Sequence, residues 1–344
     1  MATGTSTTTP RRGTSTATWA RVIRFAAAVS VLTVVSVAHA QPGGSVPRVG
    51  YLSPYSASDP QIQRGRDLFE LALRELGYVE GQNVAIEYRW AEGKDERLPR
   101  LAAELVHSAV DVIVAAGGVP SLGLHSKRRG RFQSSLAEQS IRWVLGSSPA
   151  LCARGQLTGV TLIPDALVGK QLELLTEILP KASRVAVLWN PDNPGNARQL
   201  RAAEAVSGLR LEPVGARSSA DIDKAFVTMA QQRPDGFVVL LDSFFLLERE
   251  KIADLAIRNR LPGVYGWRIH ADDRGLMAYG ASRVELAKQT AYYVARILKG
   301  TKPADLPVAQ PTKFELVINI KTAKALGLKI PRSVLLRADE IIER

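Results

Sequence analysis

The sequence predicts an α/β protein: two doubly wound, Rossmann-like lobes with parallel sheets, joined by a hinge. Three observations predict it. Strand-like and helix-like segments alternate between Arg48 and Gly118; the same order and spacing recur between Arg184 and Asp242; and a strongly amphipathic helix and one more strand follow once the second unit is complete. Two βαβαβ units of similar length make two such lobes. Ligands in doubly wound sheets sit beyond the carboxyl ends of the strands, so two facing lobes create one cleft.

Each element has its own local reason. "RVGYL" (48–52) is an apolar strand ending in a Ser-Pro turn. "DPQIQRGRDLFELALRELG" (59–77) reads as a helix: Asp59 suits the N-cap, Pro60 the first helical position, and Gly77 the stop. "NVAIEYRW" (83–90) alternates as a strand, "RLPRLAAELVHSAV" (97–110) is amphipathic, and "DVIVAAGG" (111–118) is a continuous apolar run, as a strand buried on both faces requires. The second half answers with "RVAVLWNP" (184–191), a helix over about 194–208, "LRLEPVGA" (209–216), a helix over about 220–232, and "PDGFVVLLD" (234–242). The helix "VELAKQTAYYVARILKG" (284–300) and the strand and short helix of "PTKFELVINIKTAKALGLKIP" (311–331) come last and are expected to recross the hinge, making both lobes discontinuous. The first lobe is then 46–157 plus about 281–300, the second 158–280 plus about 301–344.

Residues 1–41 carry four arginines and no acid, then a 13-residue apolar run (Phe25–Val37) and Ala38-His39-Ala40. A basic flank, a short apolar stretch and a small-x-small site make a secretory signal peptide cleaved after Ala40. At ~1.5 Å per residue the run is too short for a ~30 Å bilayer core. Cys152 is the only cysteine, so no intrachain disulfide forms, and a chain of this length buries enough apolar surface without one.

The net charge of +12 points to nucleic acid only until it is located. The leader holds +4, and residues 121–156 hold six cations against the single carboxylate of Glu138, which leaves +3 for the rest. A nucleic-acid binder spreads basic residues along one face, so no nucleic-acid partner is expected.

The motifs "RVGYLSPYSASDP", "ALRELGYVEGQNVAIEYRWAEGKDERLPRLAAELV", "DVIVAAGG", "SRVAVLWNPDNP", "LPGVYG" and "QPTKFELVINIKTAKALGLKIP" closely resemble the substrate-binding proteins of ABC importers. The resemblance is to the branch with tryptophan- and tyrosine-type binding proteins and the type I periplasmic binding fold, over nearly all of 46–120 and 157–342. It implies a monomer that captures a small-molecule solute in the periplasm, an amino acid or aromatic compound among the candidates, and delivers it to an ABC permease in the inner membrane. The alternatives are a periplasmic ligand sensor or hydrolase on the same fold, or a partly inactive product of a frameshifted gene.

Candidate ligand contacts stand at strand ends. Ser56 and Asp59 follow the first strand, with Asp59 as N-cap alone the competing reading. Gly117 and Gly118 end a buried strand and offer backbone N–H groups; by resemblance they and Ser121 sit where family members approach ligand. Asn190 and the pair Asp242-Ser243 close strands of the second lobe, and an acid there suits a ligand ammonium, against a helix cap. Tyr265 and Tyr279 stand beside glycines, placed either to stack on a flat ligand or to pack in the core or hinge. No catalytic residue, metal site or cofactor is expected. Leu124-His125 stand where a phosphate loop needs Lys and Ser/Thr, no G-x-S-x-G occurs, and the four histidines form no metal-binding pair.

Residues 121–156 break the plan. A helix, a short apolar strand and a ligand-facing turn belong here, and "LHSKRRGRFQSSLAEQSIRWVLGSSPALCARGQ" supplies none of them on its face. Two readings follow: a genuine basic insertion, or translation in the wrong frame. A one-base shift turns one coding of "CARGQ" into Ala-Arg-Gly-Gly and the start of an Asn codon, close to the expected turn. The second reading implies a first lobe that lacks a central strand, with an unfilled core and an exposed edge.

Overall fold

The structure, a computed structural model, describes residues 45–116, 142–145, 157–160, 162, 164–206 and 208–343. The first sheet contains β1 (Arg48–Ser53), β2 (Ala85–Trp90), β3 (Val112–Ala115), β4 (Arg142–Leu145) and β5 (Leu157–Gly159), in the order β2-β1-β3-β4-β5. All its pairings are parallel. The second is built on β6 (Arg184–Trp189), β7 (Arg210–Gly215), β8 (Gly236–Val239), β9 (Gly263–Tyr265) and β10 (Met277–Ala281). Read from β7, its order β7-β6-β8-β9-β10 repeats that of the first sheet. The antiparallel β11 (Phe314–Asn319) and then β12 (Glu340–Ile342) extend its far edge. This is the doubly wound α/β fold that the strand–helix alternation predicts.

The repeat extends to side chains. Asp111, just before β3, accepts the backbone N–H of Arg48 at 2.8 Å; Asp235, just before β8, accepts those of Ser183 and Arg184 at 2.8 and 2.9 Å. The two backbone donors hold the Asp235 carboxyl below its usual range. Arg48 pairs with Glu87 across β1–β2, and Arg184 pairs with Glu212 at 2.7 Å across β6–β7. The register matches too, Gly50 facing Glu87 and Ala186 facing Glu212. Each arginine stands two residues before its glutamate's partner, on the same pleat face.

One expectation needs correction. Residues 121–156 do contain the missing strand: Val112 to Ala115 pair in register with Arg142 to Leu145, and Trp143 to Leu145 pair with Leu157 to Gly159. The first sheet is therefore continuous to β5. Four residues satisfy a strand held between two others, and Trp-Val-Leu suits one, but so short a run carries no periodicity to read. The rest of that segment, including the basic run and Cys152, lies outside the described residues.

Helices cover both faces of each sheet. In the first, α1 (Pro60–Glu75) places Phe69 and Leu73 against Val49 and Val112, while α2 (Leu98–His107) places Leu98, Leu101 and Leu105 under Leu52 and Ile113. Asp59 caps α1, accepting from the Gln61 N–H at 2.9 Å with Pro60 at the first position, and Gly77 at φ +88° lets the chain turn after it. In the second sheet, α3 (Pro164–Ile178) and α4 (Pro194–Val206) cover one face. On the other, α5 (Ser219–Gln232) and α7 (Arg249–Arg258) enclose Phe226, Met229, Phe237, Ile252 and Tyr265. The short helices α6 (Ser243–Leu247) and α8 (Arg268–Asp272) sit at strand ends.

The chain passes between the sheets three times: from β5 to α3, from β10 to α9 (Arg283–Leu298), and through 306–314 back to β11. Helix α9 packs Ala291, Tyr293, Val294 and Ile297 into the first core, although β10 before it belongs to the second sheet. The crossings are tied together: Ala309 N–H donates to Gly159 O at 2.9 Å, Thr158 Oγ1 to Leu306 O at 3.0 Å, and Ser282 N–H to Lys313 O at 3.0 Å. The last turns, α10 (Ile320–Ala325) and α11 (Arg332–Leu335), close the second core through Ala323 and Val334.

Phe237 is fully buried, edge-on to both Phe226 and Tyr265 with ring centroids 5.6 and 5.7 Å away. Phe237→Ala is expected to cost about 3–5 kcal/mol, transfer and cavity terms together. Urea denaturation checks this as a lower midpoint at unchanged slope.

Candidate ligand cleft

Parallel pairing carries the carboxyl ends of β1 and β2 to one edge of the first sheet and those of β6 and β8 to one edge of the second. In the second sheet those ends are held by amide side chains from "NPDNPGNARQ". Asn196 and Gln199 donate to Leu241 O at 2.9 and 3.3 Å, and the Leu241 N–H donates back to Gln199 Oε1 at 3.1 Å. Asn190 N–H donates to Asn196 Oδ1 at 2.9 Å. The carboxylate at the centre is Asp242: its Oδ2 accepts from Asn190 Nδ2 at 3.3 Å and Asn193 Nδ2 at 2.7 Å, and its Oδ1 caps α6 through the Phe244 N–H at 2.7 Å. Ser243 opens α6 beside it, half-buried.

On the first sheet, Ser56 and Asp59 lie in the turn after β1. Ser56 Oγ lies 2.9 Å from Ser58 Oγ and accepts the Ser58 N–H at 3.2 Å. Next to them stands Tyr55, 9 % exposed. Burial pushes its phenol well above the ordinary range, and the charges of Asp242 and Asp95 push the same way, so Asp242 is felt across the gap between the sheets.

Apolar and ionic contacts bridge the sheets here. Tyr55 and Ile62, with Trp90 at the end of β2, pack against Leu246, Leu247, Trp267 and Ile269 of the second sheet's loops. Beside them Arg249, 5 % exposed, places Nη1 2.8 Å from Asp59 Oδ2 and Nε 2.5 Å from Asp273 Oδ2, and also donates to Leu246 O at 3.1 Å. Burial opposes the arginine's charge; Asp273 and Asp59 more than offset it. Asp59 is thus both the N-cap and an anchor between the sheets.

The other tyrosines are placed differently. Tyr265 is 1 % exposed, edge-on to Phe237 and stacked on His270 at 4.9 Å, so it is a core residue whose ring faces are already taken. The expectation of a ligand-stacking ring there is corrected: β9 is a central strand covered on both sides. Tyr279, half-buried on β10, stacks on Phe314 at 6.1 Å, and its carbonyl accepts from Gln171 Nε2 at 2.9 Å. Gly117, Gly118 and Ser121 lie outside the described residues. Sequence reasoning missed Tyr55, Trp90, Trp267, Arg249 and Arg283, because nothing local to them shows that distant loops meet.

The comparisons with known proteins fit this geometry. A profile of the ABC transporter substrate binding protein family matches residues 57–342. The chain belongs to that family. The chain is 20 % identical over 276 residues to the tyrosine-binding protein of Clostridioides difficile (strain R20291), covering 78 % of each. Two crystal structures share its fold. One, a conserved domain protein of Vibrio cholerae O1 biovar El Tor N16961, is 24 % identical with a TM-score of 0.72, over 86 % of this chain and all of that one. The other, an ABC domain from Streptococcus pneumoniae in complex with L-Trp, is 22 % identical with a TM-score of 0.74, over 87 % of this chain and all of that one. Members of the family are solute-binding proteins, and among the described residues of this substrate-binding protein no helix is long and apolar enough to cross a membrane.

Two outcomes check the cleft. Asp59→Asn keeps a good N-cap but removes the carboxylate facing Arg249, leaving a buried charge half-paired. The expected result is lower stability by about 3 kcal/mol and a larger radius of gyration in small-angle scattering as the sheets part. His270, 2 % exposed, is pushed down to about 4 by burial, with Arg249 adding to the effect. The unfolded chain therefore binds this proton and the folded protein does not. The stability it contributes is complete above pH 6.5 and is lost as pH falls towards 4. Between pH 6.5 and 5 the protein is expected to lose about 1.5 kcal/mol, and His270→Gln is expected to flatten that slope in urea titrations.

Proposed function

We propose that this substrate-binding protein is exported to the periplasm, its leader removed after Ala40, and that it serves as a monomer delivering solute to an ABC permease in the inner membrane. It captures its solute between the two sheets and releases it unchanged. The solute is a small organic molecule with a flat or aromatic body and an ammonium group. The observation that carries this reading is Asp242: a carboxylate held in place by two amides and a helix N–H and felt by Tyr55, which packs with Trp90 and Trp267 in an aromatic wall drawn from both sheets. The names of the relatives, which mention tyrosine and L-Trp, support the choice of aromatic amino acids as first candidates. Of the remaining cleft residues, Ser56, Asn190 and Ser243 are placed to complete polar contacts, Asp59 holds the cleft's edge through Arg249, and Tyr279 belongs to the crossing.

Thermal unfolding against a panel of amino acids and aromatic amines tests it. At 100-fold excess over Kd a cognate solute adds about 2.7 kcal/mol, and chromatography of the mixture then recovers it unaltered. Asp242→Asn retains the cap and the fold, yet is expected to weaken an ammonium-bearing solute about 10- to 100-fold, the value of one charge-assisted hydrogen bond. An unchanged affinity removes Asp242 from the site, and turnover of the solute removes the transport reading.

A further inference from the structure

Arg283 opens α9 directly after the second crossing, where Ser282 is bonded to Lys313. Its guanidinium reaches back to the first sheet and donates from Nη2 to Gln61 O, in the first turn of α1, at 2.7 Å. Space for it is provided by Gly65: a Cβ there would lie 2.6 Å from that same Nη2 and, beyond its own helix backbone, would meet among the described residues only the Cζ of the same guanidinium, at 3.7 Å. A helix-interior glycine costs about 1 kcal/mol relative to alanine, so the opening is a feature of the site rather than a neutral choice. Among the described residues no carboxylate comes within ion-pair distance of Arg283, in contrast to Arg249 with its two aspartates. Desolvation lowers its basicity; Tyr51, Asp272, Tyr55 and Glu315 act on it only through space. A guanidinium has five donors in a fixed fork suited to a carboxylate, and the described bonds use one of its terminal nitrogens. Tyr55 feels the charges of both Arg283 and Asp242.

We propose that Arg283 receives the carboxylate of the bound solute, so that Arg283, the Tyr55 wall and Asp242 together select a zwitterionic aromatic amino acid over its amine or acid analogues. The inference rests on the solute reading above and adds the anionic half of it. The Gly65 opening is then the structural requirement for amino-acid recognition, because any side chain at 65 displaces the fork.

Calorimetric titration of the purified protein with L-tyrosine and L-tryptophan, with tyramine and tryptamine, and with their deaminated propionates decides the matter. The expected result is that Arg283→Gln weakens the amino acids and propionates at least about tenfold and leaves the amines within about threefold. Gly65→Ala is expected to produce the same pattern with helix stability kept or raised, and it carries the test alone if Arg283→Gln does not fold. Equal losses for amines and acids, or no loss in either variant, overturn the role of Arg283 while the solute-capture reading stands. Failure of the wild type to bind any of the six probes overturns the aromatic-solute reading, and this inference falls with it.

Discussion

Parallel strand pairing is the constraint on which the rest depends. It sends the carboxyl end of every doubly wound strand in a sheet to one edge, and the return helices bury the faces, so polar side chains are left to gather in the loops at that edge. The second sheet makes the cost of this visible. Ends of parallel strands leave backbone groups without partners, and here Asn196 and Gln199 satisfy Leu241 on both its N–H and C=O. Two further amides of the same segment, Asn190 and Asn193, set the position of Asp242. What looks like ligand chemistry is therefore built from groups that the backbone needed in any case.

Two arginines show how context assigns different tasks to one side chain. Arg249 and Arg283 both link the sheets and both are desolvated. Arg249 is surrounded by carboxylates, so its charge is spent within the protein, and it acts as a structural tie. Arg283 donates to a carbonyl and has phenols and the more distant Asp272 and Glu315 around it, with no carboxylate at ion-pair distance among the described residues. A buried ion pair is weak evidence of net stability but strong evidence of registry; the Asp59–Arg249–Asp273 group sets where the two sheets touch.

The repeat was legible because parallel strands buried on both faces read as unbroken apolar runs, and because glycine and proline punctuate the turns. Asp59 as N-cap and Gly77 as helix stop were equally legible, since each acts within its own turn. Strand β4 was not: Arg142–Leu145 is set by its neighbours on both sides, and four residues show no period. Tyr265 resembled a cleft residue because it ends a strand beside Gly266, but a central strand under α5 and α7 buries its end as well as its middle. Tyr55, Trp90 and Trp267 meet only in three dimensions, which no local pattern records. The pairing of Arg283 with Gly65 is the extreme case, its partners lying far apart in the chain.

The order in which the chain visits the two sheets has a consequence for how the molecule is assembled. Helix α9 is made after nearly all of the second sheet, yet it fills the first core; β11 and β12 are made after α9, yet they finish the second sheet. Gln61 and Arg283, which touch, are 222 residues apart. No single cut yields two contiguous halves, each with its own complete core. Contacts this distant in sequence form slowly, so the early strands must wait, partly uncovered, for the helix that shields them. Chain order thus acts as a cross-link would: each half remains unfinished until the other has been threaded through it.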